Sequence, residues 1–351
     1  MRILVTGNMG YVGPAVIRHL RHAHPRAWIA GFDRGFFADC LTSTGERPES
    51  MLDEQRFGDV RDLTAKDLDG IDAIVHLAAI SNDPMGKRFE SVTDEINCRA
   101  SINLATEAAK VGVTRFVFAS SCSVYGAAAD GLARKETDPL NPLTAYARSK
   151  IATEKALKQM NRRGMTVTCL RFATACGMSD RLRLDLVLND FVACALSSGE
   201  ISVLSDGTPW RPLIDVRDMA RAIDWALTRD AETGGDFLAI NVGAESWTFQ
   251  IHELAEAVAR AIPPTKVSIN FAAAPDKRSY CVDFTLFKQY APNHQPRVTL
   301  QESIGLLRDG LAAIHFKDKD FRQSRLIRLR VLEQLVATGQ LSGDLRWTNA
   351  A

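Results

Sequence analysis

A tyrosine and a lysine four residues apart, Tyr146 and Lys150 in the run Y-A-R-S-K, form a pair suited to acid–base chemistry. On a helix that spacing places both side chains on one face, one turn apart. A neighbouring ammonium lowers the pKa of a phenol, so such a tyrosine can exchange a proton near neutral pH. Ser121 ends an apolar run that predicts a buried parallel strand, and its hydroxyl is placed to bind the oxygen that the tyrosine deprotonates. Alone, the spacing is equally typical of an amphipathic helix with a solvated lysine.

The start of the chain carries a glycine pattern that suits a dinucleotide. A short apolar strand leads into T-G-N-M-G-Y-V-G, and Pro14 falls where a helix opens. Glycines there permit a tight turn and a close approach of backbone to a pyrophosphate, which the helix N-terminus stabilises. Asp33 ends the next strand, where a carboxylate binds an adenosine ribose and repels a 2′-phosphate, which favours NAD over NADP. Arg34 follows directly and would pair with such a phosphate if NADP were the cofactor.

Strand and helix patterns alternate along the first half of the chain without a hairpin between them. This alternation predicts an α/β fold built on a doubly wound parallel sheet. The predicted strands lie at 2–5, 28–32, near 57, 71–77, 114–120 and 166–171, and the helices at 12–22, 91–111 and 144–163. Beyond residue 176 the rhythm changes, with predicted helices at 185–196, 216–228 and 248–261 and strands at 201–204 and 237–242. We expect a smaller α/β lobe over the carboxyl edge of the sheet, with some segments returning to the larger domain.

The composition argues against several classes of protein. The chain has 351 residues, 46% of them apolar, and a formal net charge of +1, which gives no electrostatic basis for binding nucleic acid. The seven cysteines form no C-x-x-C pair and several lie in apolar runs, so we expect reduced core thiols and a cytoplasmic location. The histidines show no metal-ligand spacing, and we expect no metal. No apolar stretch reaches the ~20 residues of a membrane span, and Met1 leads straight into a strand, so no signal peptide is expected.

The C-terminal tail, from about residue 316, alternates basic residues with Leu, Ile and Val near helical spacing. The pattern favours an amphipathic helix that docks on the body of the protein and leaves a basic face in solvent. A helix that binds a membrane surface or a nucleic acid is the alternative interpretation.

Taken together, these motifs resemble the extended short-chain dehydrogenase/reductase family, in its NAD-dependent sugar-nucleotide epimerase/dehydratase branch. The resemblance covers about residues 1–310 and rests on motifs that occur in the family's order: G-N-M-G-Y-V-G, Asp33, D-V at 59–60, H-L-A-A, Asn97, S-S-C-S-V-Y-G and Y-A-R-S-K. It implies a Rossmann-type domain that holds NAD at 1–175 and a lobe that binds a nucleoside-diphosphate sugar mainly at 176–315, followed by the tail at 316–351. It also implies a homodimer through the helices near 91–111 and 144–163.

The resemblance also assigns roles to individual residues. Tyr146 is implied as the acid/base, Lys150 as the ligand of the nicotinamide ribose, and Ser121 as the ligand of the sugar hydroxyl. The cofactor-binding residues that it implies are Gly7, Gly10, Tyr11, Val12, Gly13, Asp33, Asp59, Val60, Leu77, Ala78, Ala79, Asn97, Ser120, Tyr146, Lys150 and Phe172. The substrate-binding residues that it implies are Ser121, Ser123, Tyr146, Thr174, Asn189, Arg211 and Arg278, of which the two arginines would bind the diphosphate. Thr174 stands where the family has asparagine, and Asp215 where it has histidine or tyrosine.

The residues before Tyr125 bear on the reaction. Dehydratases of the family carry Asp and Glu at the positions of Cys122 and Ser123, and decarboxylating members keep the Glu; this chain has neither acid. A thiol with a pKa near ~8.5 is a poor proton donor to a leaving hydroxyl. The pattern therefore resembles that of the 4-epimerases, which oxidise a sugar carbon transiently and re-reduce its other face. A 4,6-dehydratase, a 4-ketoreductase and a catalytically silent NAD-binding regulator remain the alternatives.

Overall fold

The computed structural model describes residues 1–126, 132–273 and 279–348. Its strands are β1 (Arg2–Thr6), β2 (Trp28–Asp33), β3 (Glu54–Phe57), β4 (Ala73–His76), β5 (Arg115–Ser121), β6 (Ala133–Arg134), β7 (Thr166–Phe172), β8 (Thr174–Cys176), β9 (Glu200–Val203), β10 (Trp210–Asp215), β11 (Phe237–Val242), β12 (Thr248–Gln250), β13 (Lys266–Ile269) and β14 (Cys281–Val282). Its α-helices are α1 (Gly13–Ala23), α2 (Asp83–Arg88), α3 (Glu90–Asp94), α4 (Ser101–Lys110), α5 (Ala145–Gln159), α6 (Val187–Ser197), α7 (Val216–Thr228), α8 (Ile251–Ala261), α9 (Thr285–Tyr290), α10 (Leu300–Ala313) and α11 (Arg328–Ala337).

Seven parallel strands form the main sheet, in the order β11-β7-β5-β4-β1-β2-β3. Strands β4 and β7 are buried along their whole length, because helices cover both faces of the sheet. Val75 and Val117 face one core with α1 and α7, whereas Ile74 and Phe116 face a second core with α4 and α5. The predicted doubly wound parallel sheet is confirmed. The strand order reverses between β1 and β4, and the crevice at their carboxyl ends is where ligands bind in such sheets.

The last strand of the main sheet comes from the later part of the chain. Strand β11 pairs with β7 from Phe237 opposite Val167 to Val242 opposite Phe172. Helix α7 also packs against the sheet, beside α1. The chain therefore returns to the larger domain after β10 and then supplies further strands, β12 and β13, to the smaller lobe.

The smaller lobe contains two short sheets. Strand β10 pairs parallel with β8 and antiparallel with β12, and β9 pairs parallel with β13. The run S-D-G-T-P-W-R-P, which ends within β10, is rich in turn residues, so its local preference is for a turn. Tertiary pairing of Leu213 with Thr174 and of Pro212 with Thr248 overrides that local preference. The helix predicted at 248–261 begins at Ile251, after the strand β12.

The helix predicted at 91–111 is interrupted. Between α3 and α4 the segment Glu95–Ala100 forms a π-helical turn that contains Asn97. Such turns occur often at functional sites, because the extra residue re-aims the side chains around it.

The tail packs against the second core through Leu332, Leu341 and Leu345. Its basic face is not wholly solvated, since the guanidinium of Arg328 is among the largest fully buried side chains. Periodicity alone could not predict that burial, because basic and apolar residues alternate throughout this segment. Over the described ranges, no helix combines the length and apolarity that crossing a bilayer requires.

Candidate active site

A cavity of about 900 Å³ opens at the carboxyl ends of the main sheet, beneath the smaller lobe. The predicted cofactor residues that line it are Gly7, Gly10, Tyr11, Val12, Asp33, Asp59, Val60, Leu77, Ala78, Ala79, Ser120, Tyr146, Lys150 and Phe172. The predicted substrate residues that line it are Ser121, Ser123, Tyr146, Thr174 and Arg211. Gly13, Asn97 and Asn189 lie behind this lining, and Arg278 lies outside the described residues.

The glycine loop after β1 has no room for side chains. Gly7 has a φ of +74°, and a Cβ atom there would lie 2.5 Å from the backbone nitrogen of Ala78. A Cβ on Gly13 would lie 2.1 Å from the carbonyl oxygen of Asn8, so Gly13 acts by close packing behind the cavity. No side chain caps the N-terminus of α1 and no acidic residue lies in its first turn. Its backbone N–H groups therefore fit the pyrophosphate of a dinucleotide.

Asp33 is held in place at the end of β2. Its carboxylate accepts hydrogen bonds from the backbone N–H groups of Met9, at 3.0 Å, and Gly35, at 2.8 Å. Burial raises the pKa of this carboxyl, and the two backbone hydrogen bonds oppose the rise. The neighbouring Arg34 donates from Nη1 to Asp59 Oδ2 at 2.6 Å. The cation that would attract a 2′-phosphate is therefore already paired, which agrees with the preference for NAD.

Asn97 supports the cavity from behind. Its side-chain amide accepts from the Ile80 N–H at 2.8 Å and donates to the Ile80 carbonyl at 2.9 Å. Both hydrogen bonds fix the segment after β4, which carries the cavity-lining Ala78 and Ala79. Asn97 thus positions a wall of the cavity from a site that does not face it.

Helix α5 brings the catalytic candidates together. Thr144 caps its N-terminus by accepting from the Ala147 N–H at 3.2 Å, and Tyr146 lies in the first turn. Ser121, at the end of β5, lines the same cavity, and its hydroxyl lies beside that of Tyr146. Lys150 Nζ donates to the Ala119 carbonyl at 2.7 Å and lies 5.5 Å from the centre of the Tyr146 ring. The structure therefore places all three predicted catalytic side chains at one point of the cavity.

The electrostatics of this group differ from the simple expectation that Lys150 lowers the pKa of the phenol. Burial raises the pKa of Tyr146 to about 12, and the hydrogen bond from Ser121 opposes that rise. Burial also lowers the pKa of Lys150 to about 8, against the attraction of Glu154. Desolvation is the largest cause of both shifts, and the phenol keeps its proton at neutral pH in this conformation.

A buried polar network that the sequence reasoning missed lies behind α5. Glu154 accepts from the hydroxyl of Ser120 and pairs with Arg171, whose Nη2 lies 2.7 Å from the Glu154 carboxylate. Arg171 also donates to the Tyr125 hydroxyl at 3.0 Å, and Tyr125 donates to Asn241 at 2.7 Å. Glu154 follows Lys150 by one helical turn, but the partner Arg171 on β7 could not be foreseen from spacing.

On the substrate side, Arg211 and Thr174 meet a tyrosine that was not predicted as a site residue. Tyr280 lines the cavity together with both side chains, and burial raises the pKa of its phenol. The Arg211 guanidinium carbon lies 5.7 Å from the centre of the Tyr280 ring. Thr174, Arg211 and Tyr280 thus share one part of the cavity wall.

A buried ion pair, also unpredicted, lines the cavity near Tyr146. Arg183 donates from Nε to Asp185 at 2.8 Å and from Nη1 to the Ser81 hydroxyl at 2.8 Å. Asn82 donates to the same Asp185 carboxylate at 2.7 Å. The positive charge of Arg183 opposes the rise in the pKa of Tyr146.

The side chain of Asn189 is occupied by the protein itself. It accepts from the Gly177 N–H at 3.0 Å and donates to the Tyr11 hydroxyl at 3.0 Å and the Arg183 carbonyl at 2.8 Å. In this arrangement the amide joins the glycine loop to the smaller lobe and has no group directed at a diphosphate. Asp215 is similarly structural: it caps α7 by accepting from the Arg217 N–H, and it accepts from Ser303 at 2.8 Å.

Positions 122 and 123, where dehydratases of the family carry acids, lie in different environments in this structure. The Cys122 thiol is fully buried and donates to the Arg171 carbonyl at 3.0 Å, and burial raises its pKa. It therefore faces away from the cavity and cannot serve as a proton donor there. Ser123 lines the cavity, and its hydroxyl has no hydrogen-bond partner among the described residues.

Comparisons with known proteins agree with this site. Residues 3–243 match the model of the NAD dependent epimerase/dehydratase family. The chain is 27% identical over 251 residues to the uncharacterised UDP-glucose epimerase YtcB of Bacillus subtilis, covering 69% of this chain and 77% of that protein. It is 26% identical over 319 residues to UDP-glucuronic acid decarboxylase 6 of Arabidopsis thaliana, covering 88% of each chain.

A solved structure shares the fold. The complex of UDP-glucose 4-epimerase from Thermus thermophilus with NAD superposes with a TM-score of 0.72 at 24% identity, covering 89% of this chain and 99% of that one. Because the family model spans most of the chain and the glycine loop, Asp33 and the Tyr146–Lys150 pair line one cavity, the protein belongs to the NAD-dependent epimerase/dehydratase family and takes NAD as its cofactor.

Proposed function

We propose that the protein is an NAD-dependent nucleotide-sugar epimerase that oxidises a sugar hydroxyl, at C4, and re-reduces the carbon on its opposite face. The observation that carries this proposal is the joint placement of Ser121, Tyr146 and Lys150 in a cavity where neither position 122 nor position 123 supplies a carboxylate. A transient oxidation requires only one proton acceptor, here Tyr146. Elimination of water requires an additional acid to protonate the leaving hydroxyl.

In this mechanism Tyr146 takes the proton of the C4 hydroxyl, and Ser121 orients that hydroxyl by hydrogen bonding. NAD, when bound, supplies a nicotinamide that accepts the hydride and whose oxidised ring carries a positive charge. The phenol keeps its proton although Lys150 and Arg183 already lie near it, so the positive charge that bound NAD would add is needed to favour the phenolate that accepts the proton. Tyr146 returns the proton to the inverted alcohol, so the enzyme ends the cycle in its starting state.

The nucleotide end of the substrate is proposed to bind through Arg211. A guanidinium packed against the Tyr280 ring loses less conformational freedom when it binds a diphosphate than one that is free in solution. The proposal extends to Arg278 from the sequence alone. Solved relatives bind related compounds: the MoeE5 structure contains UDP-glucuronic acid and NAD, at 24% identity and a TM-score of 0.75.

An isotopic measurement tests the reaction. UDP-glucose or a related nucleotide sugar deuterated at C4 is expected to keep its deuterium at C4 of the epimer, because the hydride leaves and returns on the same bound cofactor. Products from reaction in H₂O and in D₂O would be read by NMR. Solvent hydrogen at a sugar carbon, or a product lighter by one water, contradicts the proposal and favours a dehydratase. A stoichiometric change in nicotinamide absorbance, with release of a reduced or oxidised sugar, favours a ketoreductase. If no nucleotide sugar changes the redox state of the bound nicotinamide, the result favours a binding protein.

The cofactor site gives a second prediction. Asp33→Ala is expected to weaken NAD binding by about 10- to 100-fold, because it removes a carboxylate fixed to receive the ribose hydroxyls; each such charge-assisted hydrogen bond contributes about 1.5–3 kcal/mol. Titration of NAD by calorimetry measures the change. Asp69→Ala, at an exposed position outside the cavity, is the matched control. An unchanged NAD affinity in Asp33→Ala would remove Asp33 from the site.

The homodimer and the cytoplasmic location stay predictions from the sequence. The proposed dimer contact uses α5 together with the helical segment at 90–110. Exposed charges on that surface include Arg148 and Glu90, paired at 2.6 Å, so the proposed contact has polar groups that a partner must satisfy. Analytical ultracentrifugation of wild type and of Arg148→Glu distinguishes a dimer through this surface from a monomer.

A further inference from the structure

The C-terminal tail borders the cavity through Arg322 and Arg328. We refer to residues 321–348 as the C-terminal strap. Its Phe321 and Leu345 are buried, and it contacts both the smaller lobe and the loops that follow β2 and β3. The family model ends at residue 243, so family membership alone assigns no role to the strap.

One end of the strap holds the loop after β2. The indole Nε1 of Trp347 donates to the carbonyl of Arg34 at 2.8 Å, and the Trp347 ring lies 5.7 Å from the ring of Phe36. Phe36 lines the cavity next to Asp33. The loop that would contact the adenosine is thus fixed to the chain's C-terminal segment by a hydrogen bond and a ring contact.

The same end holds the loop after β3. Arg346 Nη1 lies 2.7 Å from Asp62 and 3.7 Å from Asp59. In return, Arg61 on this loop donates to the carbonyls of Asp344, at 2.9 Å, and Leu345, at 3.3 Å. Asp59 lines the cavity and is also paired with Arg34 and Arg61, so the ion pairs join both loops to the strap.

The other end of the strap is anchored at the smaller lobe. Arg322 pairs with Asp190 of α6 at 2.8 Å, and the Leu184 N–H donates to the Leu326 carbonyl at 2.9 Å. Between the two ends, Arg328 donates to the Arg181 carbonyl at 2.7 Å and lies 4.8 Å from the ring centre of Phe37. Both Arg322 and Arg328 border the cavity itself.

We propose that the C-terminal strap is part of the cofactor site and retains NAD by holding the loops after β2 and β3 over the adenosine. A cofactor held between two loops leaves when those loops open, and openings become rarer when both loops are tied to a third, anchored segment. Arg346 and Trp347 are the positioning residues, because they bind the loops and not the dinucleotide. The inference is independent of which sugar reaction the enzyme performs.

The test measures release of NAD from the full-length protein. Wild type, Trp347→Ala and Arg346→Ala are loaded with NAD and diluted into buffer containing an NAD-trapping dehydrogenase, and the dissociation rate is followed by absorbance. We expect dissociation at least 10-fold faster in both variants. Arg330→Ala, which breaks an exposed pair with Glu333 on α11, is the matched control and is expected to release NAD at the wild-type rate. Trp347→Phe, which keeps the ring and loses the indole N–H, is expected to fall between wild type and Trp347→Ala.

Two further measurements make the result decisive. Urea midpoints of all variants identify a general loss of stability, and hydrogen exchange at residues 34–37 and 58–62 reports the opening of the two loops. Faster exchange in these loops together with faster NAD release supports the proposal. Release within threefold of wild type in both variants, or equal acceleration in Arg330→Ala, overturns it.

Discussion

Replacing Tyr146 with phenylalanine is expected to lower kcat by at least ~100-fold, the usual scale for loss of a general acid–base group. The change removes only the hydroxyl oxygen and leaves the ring, whose centre lies 5.5 Å from Lys150 Nζ. Steady-state kinetics with the substrate identified by the isotopic assay measures the effect. Because only the oxygen is lost, NAD binding is expected to stay near the wild-type value.

The matched control is Tyr290→Phe, which removes a phenol oxygen at the end of α9, outside the cavity. It is expected to leave kcat within about twofold of wild type. Ser121→Ala is expected to reduce kcat less than Tyr146→Phe does, because it removes an orienting hydrogen bond and no proton carrier. A Tyr146→Phe enzyme with near-normal kcat would show that another group carries the proton.

Truncating the buried carboxylate of Glu154 is expected to have the largest effect on stability. Glu154→Ala leaves the guanidinium of Arg171 buried without its ion-pair partner, and breaking such a pair costs about 3–5 kcal/mol of unfolding free energy. Urea denaturation followed by circular dichroism measures the change. Glu90→Ala, which breaks an exposed pair with Arg148 of the same helix α5, is expected to cost less than ~1 kcal/mol.

The conservative variant separates charge from packing. Glu154→Gln keeps the volume and one acceptor oxygen, and is expected to lose less stability than Glu154→Ala. If Glu154→Ala and Glu90→Ala lowered the unfolding free energy equally, the buried pair would stabilise the protein no more than a surface pair does. The network from Ser120 to Asn241 would then contribute little to stability.

The large features of the fold could be predicted because they rest on local patterns. Helix 216–228 and strand 237–242 were predicted with the bounds that α7 and β11 show, since a capped amphipathic helix and a continuous apolar strand are both visible in a short window. Strand β10 was missed, because its residues carry a Pro and follow Asp-Gly-Thr-Pro. Only its pairing with β8 and β12, which are distant in sequence, makes it a strand.

The candidate site likewise contains residues that could be predicted from local motifs and residues that could not. The glycine loop and the Tyr146–Lys150 pair are short motifs whose geometry follows from one turn or one helix. The partnerships of Arg171 with Glu154, of Arg346 with Asp62 and of Tyr280 with Arg211 join segments far apart in sequence, which no spacing rule can connect. The pKa of Tyr146 illustrates a further limit: the motif gives the neighbouring charge, whereas the depth of burial, which decides the direction of the shift, depends on the whole fold.

Strand β11 is synthesised long after β7, the strand with which it pairs, and this order matters while the chain is still on the ribosome. Strand β7 is complete at Phe172, but the strand that covers its outer edge starts only at Phe237. At ~5–20 residues per second, the nascent chain carries this apolar edge uncovered for on the order of 3 to 13 s. Exposed edges of that kind pair with other chains. During this interval the growing polypeptide exposes an edge that a chaperone could cover, and slow codons within 173–236 would prolong it.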